Sequence, residues 1–451
     1  MTIQPTTASF LVTEDCNLNC TYCFEKHLKN KMTNEVAEAG LELLANGAVA
    51  NGSGEFHAMI FGGEPLLEPG LIRYIFDYGL KLASEMNLRF TASIVTNATL
   101  MNDKIENLIT DYIDKVQLTV QLSVDGIKEV QDMYRVTRDD SGSFDTVAKN
   151  VPVWKELFSN NMNQLSIHGC INKKTMPYLT DNYLLFRKTW DIPRVWFMPI
   201  HTEEWDDDDV ASYKRQLMEI ANYTLYLAME DGNYNEIQNY SPIDKCLSGD
   251  CRPDKPCGAG SNFVTITASG DIYPCHHFYF NDPNRETKIG NVFDGIDDTR
   301  RQIFLNYGNE DMSCPSDCEA THCYRCIAEN YQINGSILSQ IQGKRCGLSL
   351  VEREVQLYVR GKLKDMGLLK KDNYEVGNNP NNPACLCDMG GSQEQCKCRH
   401  FEEPKKCKCD EDDSTDVIAS ALSHLIDKVG KIEENQNYII KLMEIITKKL
   451  L

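Results

Sequence analysis

Hydrophobic residues in the first 200 positions recur with the period of β-strands, and helical stretches separate the runs. The strand-like segments lie near residues 7–13, 55–61, 89–96, 117–124, 164–171 and 194–200. Strands that alternate with helical patterns form βαβ units, and such strands pair in parallel. The pattern therefore predicts an α/β fold built on a parallel sheet of six strands.

Two longer helical patterns follow the strands. Residues 207–240 predict a linker with an amphipathic helix around Val210 to Met229. Near the C-terminus, apolar residues fill two interleaved series with a period of seven, broken by one Gln: Ile418, Leu425, Ile432, Ile439, Ile446 and Leu422, Val429, Gln436, Met443, Leu450. This heptad seam predicts a coiled-coil helix over 412–451. We expect it to form a homo-oligomer rather than to fold back onto the sheet.

Composition excludes several classes of function. The 451 residues carry a formal net charge of −20, which argues against nucleic acid because phosphate binding needs a basic face. No run of 18 apolar residues and no signal-peptide pattern is present, so a cytoplasmic protein without a membrane partner is expected. The acidic runs 206–209 and 410–413 are interpreted as solvated loops, with attraction of a basic peptide as the alternative.

Cysteine is abundant, and its first cluster has a distinctive spacing. Nineteen cysteines in a chain of this kind indicate metal or redox chemistry rather than a disulfide framework. Cys16, Cys20 and Cys23 stand at C-x3-C-x2-C spacing, which can hold three corners of a [4Fe–4S] cluster and leave one iron open. Zinc is the alternative, but this is not the usual zinc spacing. An open iron is typical of a reaction site.

Polar residues follow the next predicted strands. Gly62, Gly63 and Glu64 come after the second strand, and a carboxylate there can bind a cationic amine. The third and fourth strands end at Asn97 and Ser123. Taken singly, such residues are common in turns. Their shared place at the carboxyl ends of successive strands is where barrel enzymes keep their chemistry.

These motifs, with Arg135 in Asp132-Met133-Tyr134-Arg135, resemble the signature of the radical S-adenosylmethionine (radical SAM) superfamily. The resemblance implies a partial (β/α)6 barrel and S-adenosylmethionine on the open iron, cleaved to a 5′-deoxyadenosyl radical. It implies ligand roles for the following residues: Gly62, Gly63 and Glu64 at the methionine amino group, Asn97 and Ser123 at its carboxylate or the ribose, Arg135 at the carboxylate, and Tyr22 near the adenine. A low-potential donor such as flavodoxin or ferredoxin would supply the electron.

A second cysteine-dense region resembles the SPASM domain, which carries two auxiliary [4Fe–4S] clusters. The family pattern implies these two ligand sets: Cys251, Cys257, Cys275 and Cys326 for one cluster, and Cys314, Cys318, Cys323 and Cys346 for the other. Three [4Fe–4S] clusters are thus expected. Spacing inside the run from Cys314 to Cys326 departs from the commonest family pattern, and Cys246 could replace Cys251. A pair of zinc ribbons is the alternative, and Cys170 is interpreted as a buried small hydrophobe.

SPASM-bearing enzymes act mainly on peptides and proteins. The segments Tyr273–Phe278 and Lys288–Val292 resemble maturases of ribosomally made peptides, including sactipeptide and ranthipeptide enzymes. This implies hydrogen abstraction from a Cys-rich precursor peptide and a crosslink, with a Cys thioether favoured. Sulfatase-maturating enzymes, which oxidise one side chain, are the alternative. They are disfavoured because they have an Asp at the position that His276 occupies in this chain. His276 is a candidate proton acceptor or a donor to cluster sulfur.

The non-enzyme alternative is an Fe–S electron carrier or scaffold, for which an open cluster beside Glu64 would have no purpose. Many such maturases carry an N-terminal winged-helix domain for leader binding. Here the cluster motif begins at Cys16, so leader binding is expected at another surface or on a separate protein.

Three Cys-x-Cys pairs repeat every 11 residues after this region, at Cys385/Cys387, Cys396/Cys398 and Cys407/Cys409. Three interpretations stay open: a thiolate metal site such as zinc, a tethered substrate-like segment, and a flexible linker. The expected domains are the radical SAM barrel at 1–206, the linker helix at 207–240, the SPASM domain at 241–372, the repeat segment at 373–411 and the coiled-coil helix at 412–451.

Overall fold

The computed structural model describes residues 3–200, 203–232, 257–282, 284–306, 326–337 and 344–368. Several sequence predictions lie outside these ranges and stay predictions: Cys246, Cys251, Cys314, Cys318, Cys323, the Cys-x-Cys pairs and the heptad helix.

One mixed sheet runs through the described residues. Its strands are β1 (Thr7–Thr13), β2 (Glu55–Gly62), β3 (Arg89–Thr96), β4 (Thr119–Ser123), β5 (Leu165–Ile171), β6 (Arg194–Pro199), β7 (Phe263–Ile266), β8 (Asp271–Tyr273), β9 (Gly290–Asn291) and β10 (Gly295–Ile296). Strands β1 to β6 pair in sequence order, all in parallel. The predicted parallel sheet of six strands is therefore confirmed.

Eleven helices accompany the strands in the described ranges. They are α1 (Asn34–Asn51), α2 (Pro69–Met86), α3 (Asp103–Tyr112), α4 (Lys128–Tyr134), α5 (Phe144–Leu157), α6 (Leu179–Leu184), α7 (Asp207–Asp231), α8 (His276–Asn281), α9 (Asp298–Asn306), α10 (Ile327–Asn334) and α11 (Lys344–Asp365). Helix α6 continues into a π-helical turn at Leu185–Thr189, and short 3₁₀ turns lie at Pro65–Leu67, Met162–Gln164 and Met176–Tyr178.

Alternation along the strands separates an apolar face from a polar one. In β2, Phe56, Ala58 and Ile60 are almost fully buried in the main core, whereas His57 on the opposite face is partly exposed. The His57 ring is 2.8 Å from Thr91 Oγ1 and 2.9 Å from Ser93 Oγ of β3. Since side chains alternate between the faces of a strand, the second face forms a polar lining.

The sheet does not stop at the six predicted strands. Strand β7 pairs in parallel with β1 on the side opposite β2, and β8 to β10 continue antiparallel from it. The wholly buried side chain of Arg301 in α9 donates 2.6 Å hydrogen bonds to the carbonyls of Gly260 and Ser261. Segments of the expected SPASM domain thus share a sheet with the barrel strands.

The sequence suggested that the acidic run 206–209 is a solvated loop, and this prediction is wrong. Asp206 is the N-cap of α7 and accepts from the backbone N–H of Asp209, whose side chain accepts from the N–H of Asp206. Carboxylates at a helix N-terminus also complement the helix dipole. Lys173 lies 2.9 Å from both side chains, so the run begins a helix and anchors it.

Candidate functional site

The three-cysteine loop leaves the carboxyl end of β1. Cys16 is 6% exposed, and its sulfur accepts from the backbone N–H of Leu18 at 3.4 Å. Burial raises the pKa of the Cys16 thiol to about 12, and Glu64, Cys20 and Cys23 add to the rise. Burial likewise raises the pKa of Cys23 to about 11. The three thiols therefore act on one another within a single group, in which Cys16 is buried and Cys20 and Cys23 are half-buried.

The chemistry of this donor set suits an iron–sulfur cluster. Among the described residues, no three His, Cys, Asp or Glu side chains converge as a site for a single metal ion. A [4Fe–4S] cluster binds each thiolate through a different iron, so its ligands lie further apart. Thiols with raised pKa values lose their protons when metal binds. Three thiols on one loop at the carboxyl end of β1 supply three such ligands.

Two glycines let the end of β2 pass directly against the cysteine loop. A Cβ at Gly62 would lie 2.1 Å from the carbonyl oxygen of Thr13, and one at Gly63 would lie 2.2 Å from that of Asp15. Gly62 also has a φ of +126°. The N–H groups of Gly63 and Glu64 donate to those carbonyls at 2.9 Å. The glycines thus lock Glu64 to the loop.

The Glu64 carboxylate is fully buried at the strand ends. One oxygen accepts from Thr96 Oγ1 at 2.8 Å and from the N–H of Leu66 at 3.0 Å, and the other accepts from the N–H of Asn97 at 2.7 Å. Burial raises the pKa of Glu64 to about 7, although these hydrogen bonds and Arg135 lower it. A bound cation would favour the ionised form.

Asn97 faces the same loop. Its amide nitrogen donates to Asn17 Oδ1 at 2.9 Å and lies 3.8 Å from the Cys16 sulfur, while its oxygen accepts from Thr99. Ser123, at the end of β4, stands opposite His168 of β5. Both residues therefore lie at the expected edge of the sheet, and their ligand roles stay predictions.

Arg135 and Tyr22 meet at a residue for which the sequence suggested no role. Asp125 is 1% exposed and lies 3.0 Å from Arg135 Nε. It accepts from the Tyr22 hydroxyl at 2.6 Å and from the backbone N–H of Cys170 at 2.9 Å. Cys170 is half-buried rather than buried, and although burial is the main cause that raises its pKa to about 12, Asp125, Arg135 and Tyr22 also act on the thiol.

A second cysteine group forms in the β7–α10 region. Burial raises the pKa of Cys275, and the nearby Cys326 and Cys257 raise it further. These three residues were assigned to one auxiliary cluster, and they come together although they are far apart in sequence. Cys346, assigned to the other cluster, is exposed on α11.

Aromatic and polar contacts join the two cysteine groups. The ring of His276, next to Cys275, stacks 4.6 Å from that of Phe61, and His277 lies 4.4 Å from Phe24, next to Cys23. Tyr279 of α8 donates a 2.5 Å hydrogen bond to Glu14. His276 therefore lies beside the carboxyl end of β2. The contact between Tyr279 and Glu14 could not be predicted from the local sequence around either residue.

Comparison with known proteins agrees with this geometry. The radical SAM superfamily model matches residues 10–175, which include the three cysteines, Glu64 and Arg135. This region belongs to the radical SAM superfamily. The match assigns the barrel strands β1 to β5 to a superfamily of enzymes that use S-adenosylmethionine and a [4Fe–4S] cluster.

The relatives include enzymes of different kinds. The chain is similar to the radical SAM cyclopropyl synthase TigE of Paramaledivibacter caminithermalis, 25% identical over 283 residues, which are 59% of this chain and 56% of TigE. It is also similar to a cysteine-type anaerobic sulfatase-maturating enzyme of Clostridium novyi, 26% identical over 296 residues, covering 62% of this chain and 74% of that enzyme. The chain thus spans little more than half of TigE.

A solved structure shares the fold. Native anSMEcpe with bound AdoMet superposes with a TM-score of 0.63 at 19% identity, over 81% of this chain and all of that one.

Within the described ranges, each helix is too short or too polar to cross a membrane.

Proposed function

We propose that this chain is a radical SAM maturase that modifies a side chain of a ribosomally made peptide. The observation that carries the proposal is the convergence of Cys16, Cys20 and Cys23 with the buried carboxylate of Glu64 at one end of the parallel strands. When bound, the cluster and S-adenosylmethionine supply a 5′-deoxyadenosyl radical that removes a hydrogen atom from the substrate.

The chain's own residues hold and orient these groups. The three cysteines would bind three irons of the cluster, and Glu64 would accept hydrogen bonds from the methionine amino group. Asn97 and Ser123 would contact the carboxylate or the ribose, Arg135 would contact the carboxylate, and Tyr22 would lie near the adenine. The backbone of Gly62 and Gly63 keeps Glu64 fixed against the loop, as its 2.9 Å hydrogen bond to Asp15 supports.

The second cysteine group supports an auxiliary cluster. Cys257, Cys275 and Cys326 would bind it together with Cys251, whereas Cys314, Cys318, Cys323 and Cys346 would bind the third cluster. Such clusters remove the surplus electron that an oxidative crosslink leaves behind. The mutual effect of Cys257, Cys275 and Cys326 on their pKa values supports the first assignment.

The proposed product is a crosslink, with a Cys thioether favoured, on a Cys-rich precursor. A substrate cysteine thiolate bonds to the carbon from which hydrogen was removed, and one electron passes to the protein. His276 either accepts the proton or donates to cluster sulfur. Its ring stacks on Phe61 at the barrel mouth, which suits the first role, and it follows Cys275, which suits the second.

Oxidation of a single protein side chain is the second candidate. The similarity to a cysteine-type sulfatase-maturating enzyme over 74% of its length favours it. The two candidates differ in what happens to substrate thiols. Both would remove two hydrogen atoms, but only a thioether makes a cysteine unreactive toward alkylating agents.

The test is to incubate the reconstituted, reduced protein with a synthetic Cys-rich peptide. We expect the peptide to lose two mass units and one alkylatable thiol. A loss of two mass units with every thiol still alkylatable would reject the thioether in favour of a carbon–carbon link or a simple oxidation. If the peptide stays unchanged while S-adenosylmethionine is still cleaved, Cys-rich peptides are not the substrate class.

A further inference from the structure

Asp125 and Arg135 form a buried ion pair beside the cysteine loop. Their side chains are 1% and 9% exposed, and Arg135 Nε lies 3.0 Å from Asp125 Oδ1. Burying two charges is costly unless further hydrogen bonds satisfy their remaining atoms. Asp125 meets this condition, since it also accepts from Tyr22 at 2.6 Å and from the N–H of Cys170 at 2.9 Å.

A chain of hydrogen bonds fixes both members of the pair. Gln131 Oε1 accepts from the N–H of Asp125 at 2.9 Å, and Gln131 Nε2 donates to Ser143 Oγ at 3.0 Å. Ser143 in turn donates to the carbonyl of Arg135 at 2.5 Å. Gln131 and Ser143 are completely buried. The backbone segments that carry the two charges are therefore held in one arrangement.

The cation of this pair faces a cluster ligand. The residues on both sides of Cys20 pair through the backbone with those on both sides of Arg135, since Asn19 N–H donates to the Val136 carbonyl at 2.7 Å and Thr21 N–H donates to the Tyr134 carbonyl at 2.9 Å. The Arg135 guanidinium lies 5.5 Å from the centre of the Tyr22 ring, and although burial raises the pKa of the Cys20 thiol, the charge of Arg135 lowers it. Arg135 therefore stands opposite Cys20 in the paired backbone, and its charge acts on that thiol more strongly than the charge of Asp125.

Hydrogen bonds and charges next to the ligating sulfurs are levers on the potential of an Fe–S cluster. We propose that Asp125 and Arg135 are positioning residues that set the reduction potential of the cluster held by Cys16, Cys20 and Cys23. Reduction adds one electron to the cluster, drawn from a low-potential reductant. Arg135 stabilises the added negative charge, and Asp125 reduces that effect. The inference rests on the proposed function only in requiring the cluster to be present.

The test is a dithionite titration of the reconstituted protein followed by electron paramagnetic resonance, without S-adenosylmethionine or peptide. The signal of this cluster is the one that Cys16→Ala loses. We expect Arg135→Gln to lower its midpoint potential and Asp125→Asn to raise it. The matched control is Asp145→Asn, which changes the same charge in the exposed pair of Asp145 with Lys128 and should leave the midpoint unchanged.

Removing one member of a buried ion pair can prevent folding. The double variant Asp125→Asn/Arg135→Gln leaves no unpaired charge and carries the test in that case. Its midpoint should fall below that of the wild type, because the stronger field of Arg135 is lost. If the variants retain iron and their midpoints equal that of the wild type, the proposal is wrong.

The affinity of the variants for S-adenosylmethionine distinguishes an effect on the cluster potential from a contact with the carboxylate of that ligand. A residue that acts only on the carboxylate would weaken binding when changed and leave the ligand-free midpoint unaltered, which would overturn the proposal. The midpoint is measured without any peptide, so a wrong substrate assignment would not affect it.

Discussion

The two cysteine groups of the described chain differ in how the sequence assembles them. Cys16, Cys20 and Cys23 lie within one loop, and strand ends supply the polar groups around them. Cys257, Cys275 and Cys326 come from three separate segments and meet only because β7 and β8 extend the sheet beyond β1. The first group is a local motif, and the second is a product of the fold.

This difference has a chemical counterpart. The first group is surrounded by ionisable partners, including Glu64 and the Asp125–Arg135 pair. Around the second group, the influences on the Cys275 pKa are burial, the other two cysteines and backbone hydrogen bonds. The carboxylate of Glu329 also acts on the Cys326 thiol, so the second group has a charged neighbour but no ion pair like that of Asp125 and Arg135 among the main influences on the pKa values of its described residues. Polar groups that bind and orient a ligand suit a reaction site, whereas a setting with fewer charged groups suits a site that only accepts electrons.

Cysteine variants give the largest expected contrast between the groups. Cys16→Ala and Cys275→Ala should each remove about four irons of about twelve, since each cluster holds four. Only Cys16→Ala should abolish cleavage of S-adenosylmethionine. Iron analysis and chromatography of 5′-deoxyadenosine measure both effects. The control is Cys170→Ala, which should keep all its iron. If Cys275→Ala loses all of its iron, the two clusters do not form independently of each other.

The sequence predicted the first group better than the second for a physical reason. Six strands and the Gly62-Gly63-Glu64 motif could be recognised because alternation and tight spacing are local properties. Three contacts join distant segments: the pairing of β7 with β1, the hydrogen bond from Tyr22 to Asp125 and the hydrogen bond from Tyr279 to Glu14. No local pattern encodes such contacts, and the acidic run at 206–209 was misread because capping depends on the helix that follows.

A glycine substitution tests how tightly the first group is built. Gly63→Ala should destabilise the protein by about 3 kcal/mol, since its Cβ would lie 2.2 Å from the rigid carbonyl of Asp15. Gly70→Ala is the matched control, because nothing lies within 4 Å of its added Cβ. Urea unfolding measures both. Equal stability of the two variants would contradict the close packing of β2 against the loop.

The smallest effect concerns the link between the groups. Tyr279→Phe removes a donor from the buried Glu14 and should cost about 1.5 kcal/mol of stability, while iron content stays unchanged. Tyr78→Phe loses a hydrogen bond to Glu42 on the surface and should cost less than about 0.5 kcal/mol. If both variants unfold alike, the Tyr279–Glu14 bond contributes nothing to holding α8 at the loop.

Cleavage of S-adenosylmethionine tests the central claim most directly. The anaerobically reconstituted and reduced protein should convert it to 5′-deoxyadenosine and methionine, and Cys16→Ala should form neither product. Cleavage that survives in Cys16→Ala, or its absence from wild-type protein with a full complement of iron, would contradict the assignment of Cys16, Cys20 and Cys23 as the radical-forming site.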